Sequence, residues 1–132
     1  MPALHPAIRA LAQGPNYATI TAMLPSGRMM TQIMWVDADD DHILMNTEAG
    51  RTKYVALEAD ARATVMVWDK DDVMHYGEVR GRVVDIVRGD RARAHIDELS
   101  MKYRGEPYDG RWIGTERVIL KIAPETQREQ KV

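Results

Sequence analysis

The 132-residue chain contains no cysteine and no phenylalanine. Without cysteine there can be no disulfide, zinc knuckle or thiolate-held iron–sulfur centre. No apolar run approaches the roughly 20 residues of a membrane-spanning helix, and the first residues lack the basic-then-apolar pattern of a secretory leader. A cytoplasmic protein is expected. Net charge is also small: 18 Lys and Arg stand against 20 Asp and Glu, leaving −2. That balance gives no global attraction to nucleic acid or to an anionic membrane. Aromatic residues make up only 6% of the chain, so Trp35, Trp68 and Trp112 read as core and pocket residues instead of a base-stacking platform. The histidines, His5, His42, His75 and His95, show no paired ligand spacing, and no metal site is expected.

What is present suits one domain spanning residues 1–132, because a chain of this length supports a single hydrophobic core. Nine methionines are expected mainly as flexible core filler. Asp37, Asp39, Asp41 and Glu48 fall at four positions of a calcium loop. The sixth position, which that loop needs as Gly, is His42, so the segment reads as an acidic hairpin turn.

Periodicity then divides the chain. His5 to Gln13 places Ile8, Leu11 and Ala12 at helical spacing, and Gly14-Pro15 stops it. Asn16 to Leu24 alternates, with Tyr17, Thr19 and Thr21 on one face and Ala18, Ile20 and Ala22 on the other. Pro25-Ser26-Gly27-Arg28 turns this strand into a second one over Met30 to Val36. A turn over Asp37 to Asp41 leads to a short strand, His42 to Asn46. A short helix from Arg51 to near Asp60 and a buried strand from Ala63 to Trp68 follow. A long strand from His75 to Val87 comes next, with Gly77 and Gly81 inviting bulges. Asp90 is placed to cap a helix whose stripe is Ala92, Ile96, Leu99 and Tyr103 and which Gly105 closes. Beside this stripe His95 is expected to be half-buried. Thr115 to Ala123 makes a final strand, and a frayed polar tail is expected from about residue 125. Hairpin succession with few helices predicts a mainly β fold, a small barrel flanked by helices, and not a doubly wound parallel sheet.

The chemistry concentrates in Asn46-Thr47-Glu48-Ala49-Gly50-Arg51-Thr52-Lys53, where a strand ends, a glycine loop follows and a helix begins. Helix N-termini present unpaired amides and partial positive charge, which suit anions and disfavour cations. Arg51 and Lys53 at such an end fit a bound phosphate, Arg as a planar fork and Lys as a point charge. Spacing alone leaves a solvated basic turn equally open.

Order and spacing over a longer range add a resemblance. Gly27-Arg28, Gln32-Ile33-Met34-Trp35-Val36, Ile43-Leu44-Met45-Asn46-Thr47, Gly50-Arg51-Thr52-Lys53 and Asp60-Ala61-Arg62-Ala63, with Glu78 to Val83 and Glu116 to Leu120 downstream, resemble the pyridoxamine-phosphate-oxidase-like family. The branch most similar is the flavin/deazaflavin oxidoreductases, over roughly residues 6 to 124. The resemblance implies a homodimeric, FMN-binding type of split β-barrel with cofactor at the subunit interface. It implies that Gly50, Arg51 and Lys53, helped by Thr47, bind the cofactor phosphate. Gln32, Ile33 and Met34 match positions lining the ring system, largely through backbone groups, and Trp68 matches a strand position near that pocket. Trp112, in an irregular segment beside Arg111, is placed to reach a partner subunit's pocket. Ala56-Leu57 stands where many relatives carry Asn-Leu, and Ala61 where many read Asp-Pro-Arg.

The activity implied is hydride transfer between coenzyme F420 and an unsaturated small-molecule substrate. No side chain stands out as nucleophile, and Tyr76, His75 or water could donate a proton. Basic residues beyond the Arg51–Lys53 pair, such as Arg104, Arg111 or Arg117, would suit the oligoglutamate tail of F420. An FMN-dependent oxidase or reductase, a non-catalytic carrier or store of the cofactor, and a haem-binding barrel are the alternatives.

Overall fold

The computed structural model describes residues 2–131, and its organising feature is an antiparallel sheet that curls until its two edges come from one stretch of chain. Seven strands take part: β1 (Tyr17–Met23), β2 (Met29–Trp35), β3 (Asp37–Ala38), β4 (Ile43–Glu48), β5 (Arg62–Asp69), β6 (Asp72–Val87) and β7 (Arg117–Gln130). Their order is β2-β1-β5-β6-β7-β4-β3. The edge strands β2 and β3 are consecutive in the chain, with only Val36 between them. The sheet therefore bends round to meet itself, but among the described residues β2 pairs with β1 alone and leaves a seam facing β4. This is the split barrel that the resemblance implies.

Alternation explains which way each strand faces. Ala18, Ile20 and Ala22 of β1 are buried, as are Ala63, Val65 and Val67 of β5, and they join Ile43, Met45, Val118, Leu120 and Ile122 in one core. The helix α1 (Pro6–Gln13) adds Ile8, Leu11 and Ala12 to that core. The helix α2 (Thr52–Ala59) adds Tyr54 and Leu57. A third helix, α3 (Gly89–Arg104), lies against the other face of β4 and β7, where Ala92 packs on Leu44 and Ile119.

Several expectations are corrected. The tail is not frayed, because β7 continues to Gln130 and pairs residue by residue with β6, from Gly81↔Pro124 to Tyr76↔Gln130. These polar residues occupy a strand because the 16-residue β6 leaves backbone groups there to be paired. The bulge expected at Gly81 is present, with a register shift between Arg80 and Gly81. Asp90 does not cap α3; it sits in the first turn, where its charge still favours the helix N-terminus, and Arg88 occupies the capping position. His95 is fully buried, not half-buried. Methionine is only partly a core residue: Met45 is buried and Met30 and Met34 pack against the core, but Met29, Met66, Met74 and Met101 are exposed.

The C-terminal turn of α3 ties the fold together at the mouth of the seam. Lys102 Nζ donates to the Val36 carbonyl at 2.6 Å and to Ala12 and Gln13 at the end of α1, which suits a cation at a helix C-terminus. Tyr103 donates its hydroxyl proton to the Asn16 carbonyl and accepts from the Val36 amide at 3.2 Å. Burial pushes the Tyr103 phenol up to about 12 from 10.0. Between these values the native chain holds a proton that the unfolded chain releases, so stability falls as pH rises through the window. Tyr103→Phe is expected to cost about 1–3 kcal/mol in urea unfolding at neutral pH. The variant should also lose this contribution to alkaline sensitivity; an unchanged midpoint would show that the hydroxyl contributes nothing.

Candidate functional site

The Gly50 loop carries the chain from β4 into α2, and Gly50 has φ of +90°, a conformation that few other residues adopt without strain. Arg51 is the capping residue of α2 and makes no side-chain cap, so the helix opens with amides that lack intrahelical partners. Arg51 and Lys53 both line a cleft of about 350 Å³ that occupies the seam. On one side stand Ile33, Met34 and Trp35 of β2, and on the other Asn46 and Thr47 of β4. Ile96 and Leu99 of α3 form an apolar floor, and Tyr108 and Arg117 close the end that holds Arg51 and Lys53. A polar hollow lined by Gln32, Gly50, Arg51, Thr52 and Lys53 adjoins it through the shared cations.

The cleft is chemically two-sided. Its aromatic wall is Tyr17 and Trp35, backed by Tyr103, whose ring stacks on Trp35 at 5.2 Å with planes 7° apart. The opposite end gathers three cations against one carboxylate, an excess of two positive charges. Glu48 is that carboxylate, and it is fully engaged. Its Oε1 accepts from the amides of Gly114 and Thr115 at 2.8 and 2.9 Å, and its Oε2 accepts from Arg51 at 2.6 Å. Burial pushes the Glu48 carboxyl up, but the Thr115 and Gly114 amides and the Arg51 and Arg117 charges outweigh it and hold it below the usual carboxylate range.

Lys53 is one of the cations left over. Its Nζ donates to Thr47 Oγ1 at 3.4 Å, and no ion-pair partner lies within reach among the described residues. The side chain is buried, and burial first, then the charges of Arg51 and Arg117, press its pKa down. A buried ammonium beside two guanidiniums is costly in the free chain and fits a bound anion.

Among the residues expected at the site, Ile33, Met34, Thr47, Arg51 and Lys53 come together in the cleft, and Gln32 and Gly50 in the adjoining hollow. Because β2 pairs with β1 only, half of its amides and carbonyls face the seam. Trp68 is elsewhere: it pairs with Tyr17 across the β1–β5 ladder and does not line the cleft. Trp112 stands at the rim, half exposed, edge-on to Tyr108 and under the Arg104 guanidinium. His75 and Tyr76 lie on β6 and do not line the cleft within one chain; His75 is held by Glu129 at 3.0 Å. Arg104 and Arg111 are engaged at the surface by Glu106 and Asp109. The sequence reading missed Tyr17 and Tyr108, and it gave Asn46 no role of its own within the stretch it singled out. Asn46 carried a signal, since asparagine is disfavoured inside a strand unless its side chain is put to use.

A second hollow, about 250 Å³, lies at the other end of the sheet among Met23, Met29, Arg62 and Arg80. Its cations are already matched, Arg62 by Asp60 and Arg80 by Glu78, so it has no charge left for a ligand.

Comparison with known proteins agrees with this architecture. A protein named F420 reductase is 26% identical and superposes with a TM-score of 0.82, over 95% of this chain and 98% of its own. A conserved hypothetical protein from Mycobacterium tuberculosis is 21% identical, with a TM-score of 0.72 over 95% and 81%. A Listeria innocua protein named after pyridoxamine 5'-phosphate oxidase is 16% identical, with a TM-score of 0.67 over 90% of each chain. The last two speak to the fold alone. No curated protein matches. The family model for pyridoxamine 5'-phosphate oxidase matches residues 4–131, and with a seam cleft on a split barrel beneath that match, this chain belongs to the pyridoxamine 5'-phosphate oxidase family.

Proposed function

We propose that this protein is a coenzyme F420-dependent oxidoreductase, transferring a hydride between the deazaflavin and an unsaturated small-molecule substrate. The observation that carries the reading is the two-sided cleft: an aromatic and apolar length ending in cations whose charge is unmatched. A phosphate-bearing planar cofactor matches both halves. The likeness to a protein named F420 reductase, over nearly the full length of both chains, supports the deazaflavin.

When bound, the cofactor supplies the hydride chemistry, and the protein's share is binding, orientation and electrostatics. Lys53, Arg51 and the opening amides of α2 hold the phosphate, with Thr47 bracing the ammonium. The free backbone edge of β2 at Gln32, Ile33 and Met34 offers donors and acceptors to polar atoms of the ring. Leu99 and Ile96 keep water from the inner wall. Arg104 and Arg111 are paired with Glu106 and Asp109 at the surface, so an anionic tail would have to exchange those partners to be held there.

FMN is the second reading. Two unmatched positive charges would balance the charge of a phosphate monoester dianion. Mixing the protein with reduced F420 or reduced FMN and a panel of unsaturated acceptors, while following the visible absorbance of the oxidised cofactor, tests these readings. Turnover with reduced F420 supports the proposal. Tight binding with no turnover on any acceptor would favour a carrier.

The functional unit is a two-fold homodimer on this account. Register places Trp35, Tyr17, Trp68 and Tyr76 in one row across the outer face of the sheet, and Ile33, Thr19 and Met66 in the next. Ile33 and Met29 are about 70% exposed there, an apolar surface that a second copy would cover. Sedimentation at micromolar concentration should give a dimer; a monomer would contradict this.

A further inference from the structure

We infer that Arg117 is a third, buried ligand for the phosphate group, oriented by a hydrogen-bond chain that runs through Asn46 and His95 to Asp37. The inference rests on the cleft being a phosphate site, and it moves Arg117 from the tail of the cofactor to its phosphate.

Arg117 begins β7 opposite Glu48, and its side chain is only 5% exposed. Its Nε donates to Asn46 Oδ1 at 2.8 Å. The Tyr108 ring covers the guanidinium, with its centroid 5.2 Å from Cζ. Its Nη1 is buried and has no hydrogen-bond partner among the described residues. Glu48 Oε2 lies 3.7 Å away, too far for a hydrogen bond, and is already taken by Arg51 at 2.6 Å. A buried guanidinium N–H with nothing to donate to is costly, and the residue lines the cleft that holds Lys53. An oxygen of a phosphate would satisfy it.

The second observation is how firmly the other side of the guanidinium is fixed. Because Arg117 donates to Asn46 Oδ1, the Asn46 amide must point its Nδ2 the opposite way. That Nδ2 donates to the Ala92 carbonyl at 3.0 Å and to His95 Nδ1 at 3.1 Å. His95 Nδ1 is then an acceptor, and the ring proton sits on Nε2, 3.2 Å from Asp37 Oδ2. Each donor and acceptor in this chain is assigned by its neighbour. Such a chain, fully buried at His95, is more than Arg117 needs for packing. It holds a fork-shaped donor at one angle, as bidentate or shared phosphate recognition requires. Asn46 and His95 act through Arg117 and are positioning residues.

The test compares Arg117→Met and Arg117→Lys with the native chain in equilibrium titrations of F420, FMN, and the phosphate-free parents of both. Arg117→Met should bind the phosphate-bearing molecules about ten- to a hundredfold more weakly. Its affinity for the phosphate-free parents should be unchanged. Arg117→Lys should recover part of the loss, and Asn46→Ala should show the same phosphate-selective loss at smaller size. A folded Arg117→Met that binds phosphate-bearing and phosphate-free forms with equal losses, or with none, overturns the inference. A separate arm uses inorganic phosphate alone and reads the shift in melting temperature. The native chain should be stabilised and Arg117→Met should not, whichever flavin the protein takes. No shift in the native chain would overturn the assignment, whereas a phosphate shift with no flavin binding would leave it standing and remove the proposed function.

Discussion

Replacing Lys53 with methionine is expected to weaken cofactor binding and to raise the melting temperature at once. The binding loss should be about 1.5–3 kcal/mol, the range for a hydrogen bond to a charged group. The stability gain follows from the same geometry. Lys53 is buried beside Arg51 and Arg117 with no carboxylate of its own, and its pKa is lowered from 10.5. Between the lowered value and 10.5 the unfolded chain binds the proton that the native chain has released, so stability rises with pH there. Below that window the full penalty of burying the ammonium is present, and methionine removes it. The alkaline gain in stability should vanish in the variant. Arg51→Ala should weaken binding less, because Arg51 is half exposed and its charge is shared with Glu48. Titration calorimetry and thermal unfolding on the same samples check both halves. A variant that lost stability together with affinity would show that Lys53 is structural.

Gly81→Ala carries the largest expected effect on the fold. A Cβ at residue 81 would stand 1.9 Å from the Ala123 carbonyl oxygen and 2.9 Å from its carbon. Both are backbone atoms in the β6–β7 ladder, at the bulge between Arg80 and Gly81. Relief requires moving a strand, and the cost should be roughly 3 kcal/mol or more. Gly77→Ala is the internal comparison. There the added Cβ meets the Ile8 side chain at 2.7 Å, which can shift its rotamer within the core, so about 1–2 kcal/mol is expected. Urea unfolding of both variants should preserve this order; equal costs would mean that the bulge is not fixed by the close approach.

The sequence made some of this plain and hid the rest for physical reasons. The β1–β2 hairpin was legible because Ala18, Ile20 and Ala22 alternate with polar partners and Pro25 to Arg28 can only turn. The α2 start was legible because the period changes after Arg51, with Tyr54 and Leu57 at helical spacing. The last stretch of β7 was not. Residues 125–130 carry no apolar alternation, and their strand state comes from pairing with β6, a long-range fact. Arg117 could not be brought to Arg51 by inspection either, since the Glu48↔Arg117 register that joins them depends on how the barrel closes. Nor could His95 be read as more than a helix-face residue, because its partners Asp37 and Asn46 lie 58 and 49 positions away.

Equilibrium titration of the native protein with F420 and with FMN, followed by the change in visible absorbance, tests the central claim most directly. Saturable binding of F420, weakened on Lys53→Met and by competing inorganic phosphate, is the predicted result. Failure of the folded native protein to bind either molecule would contradict the account.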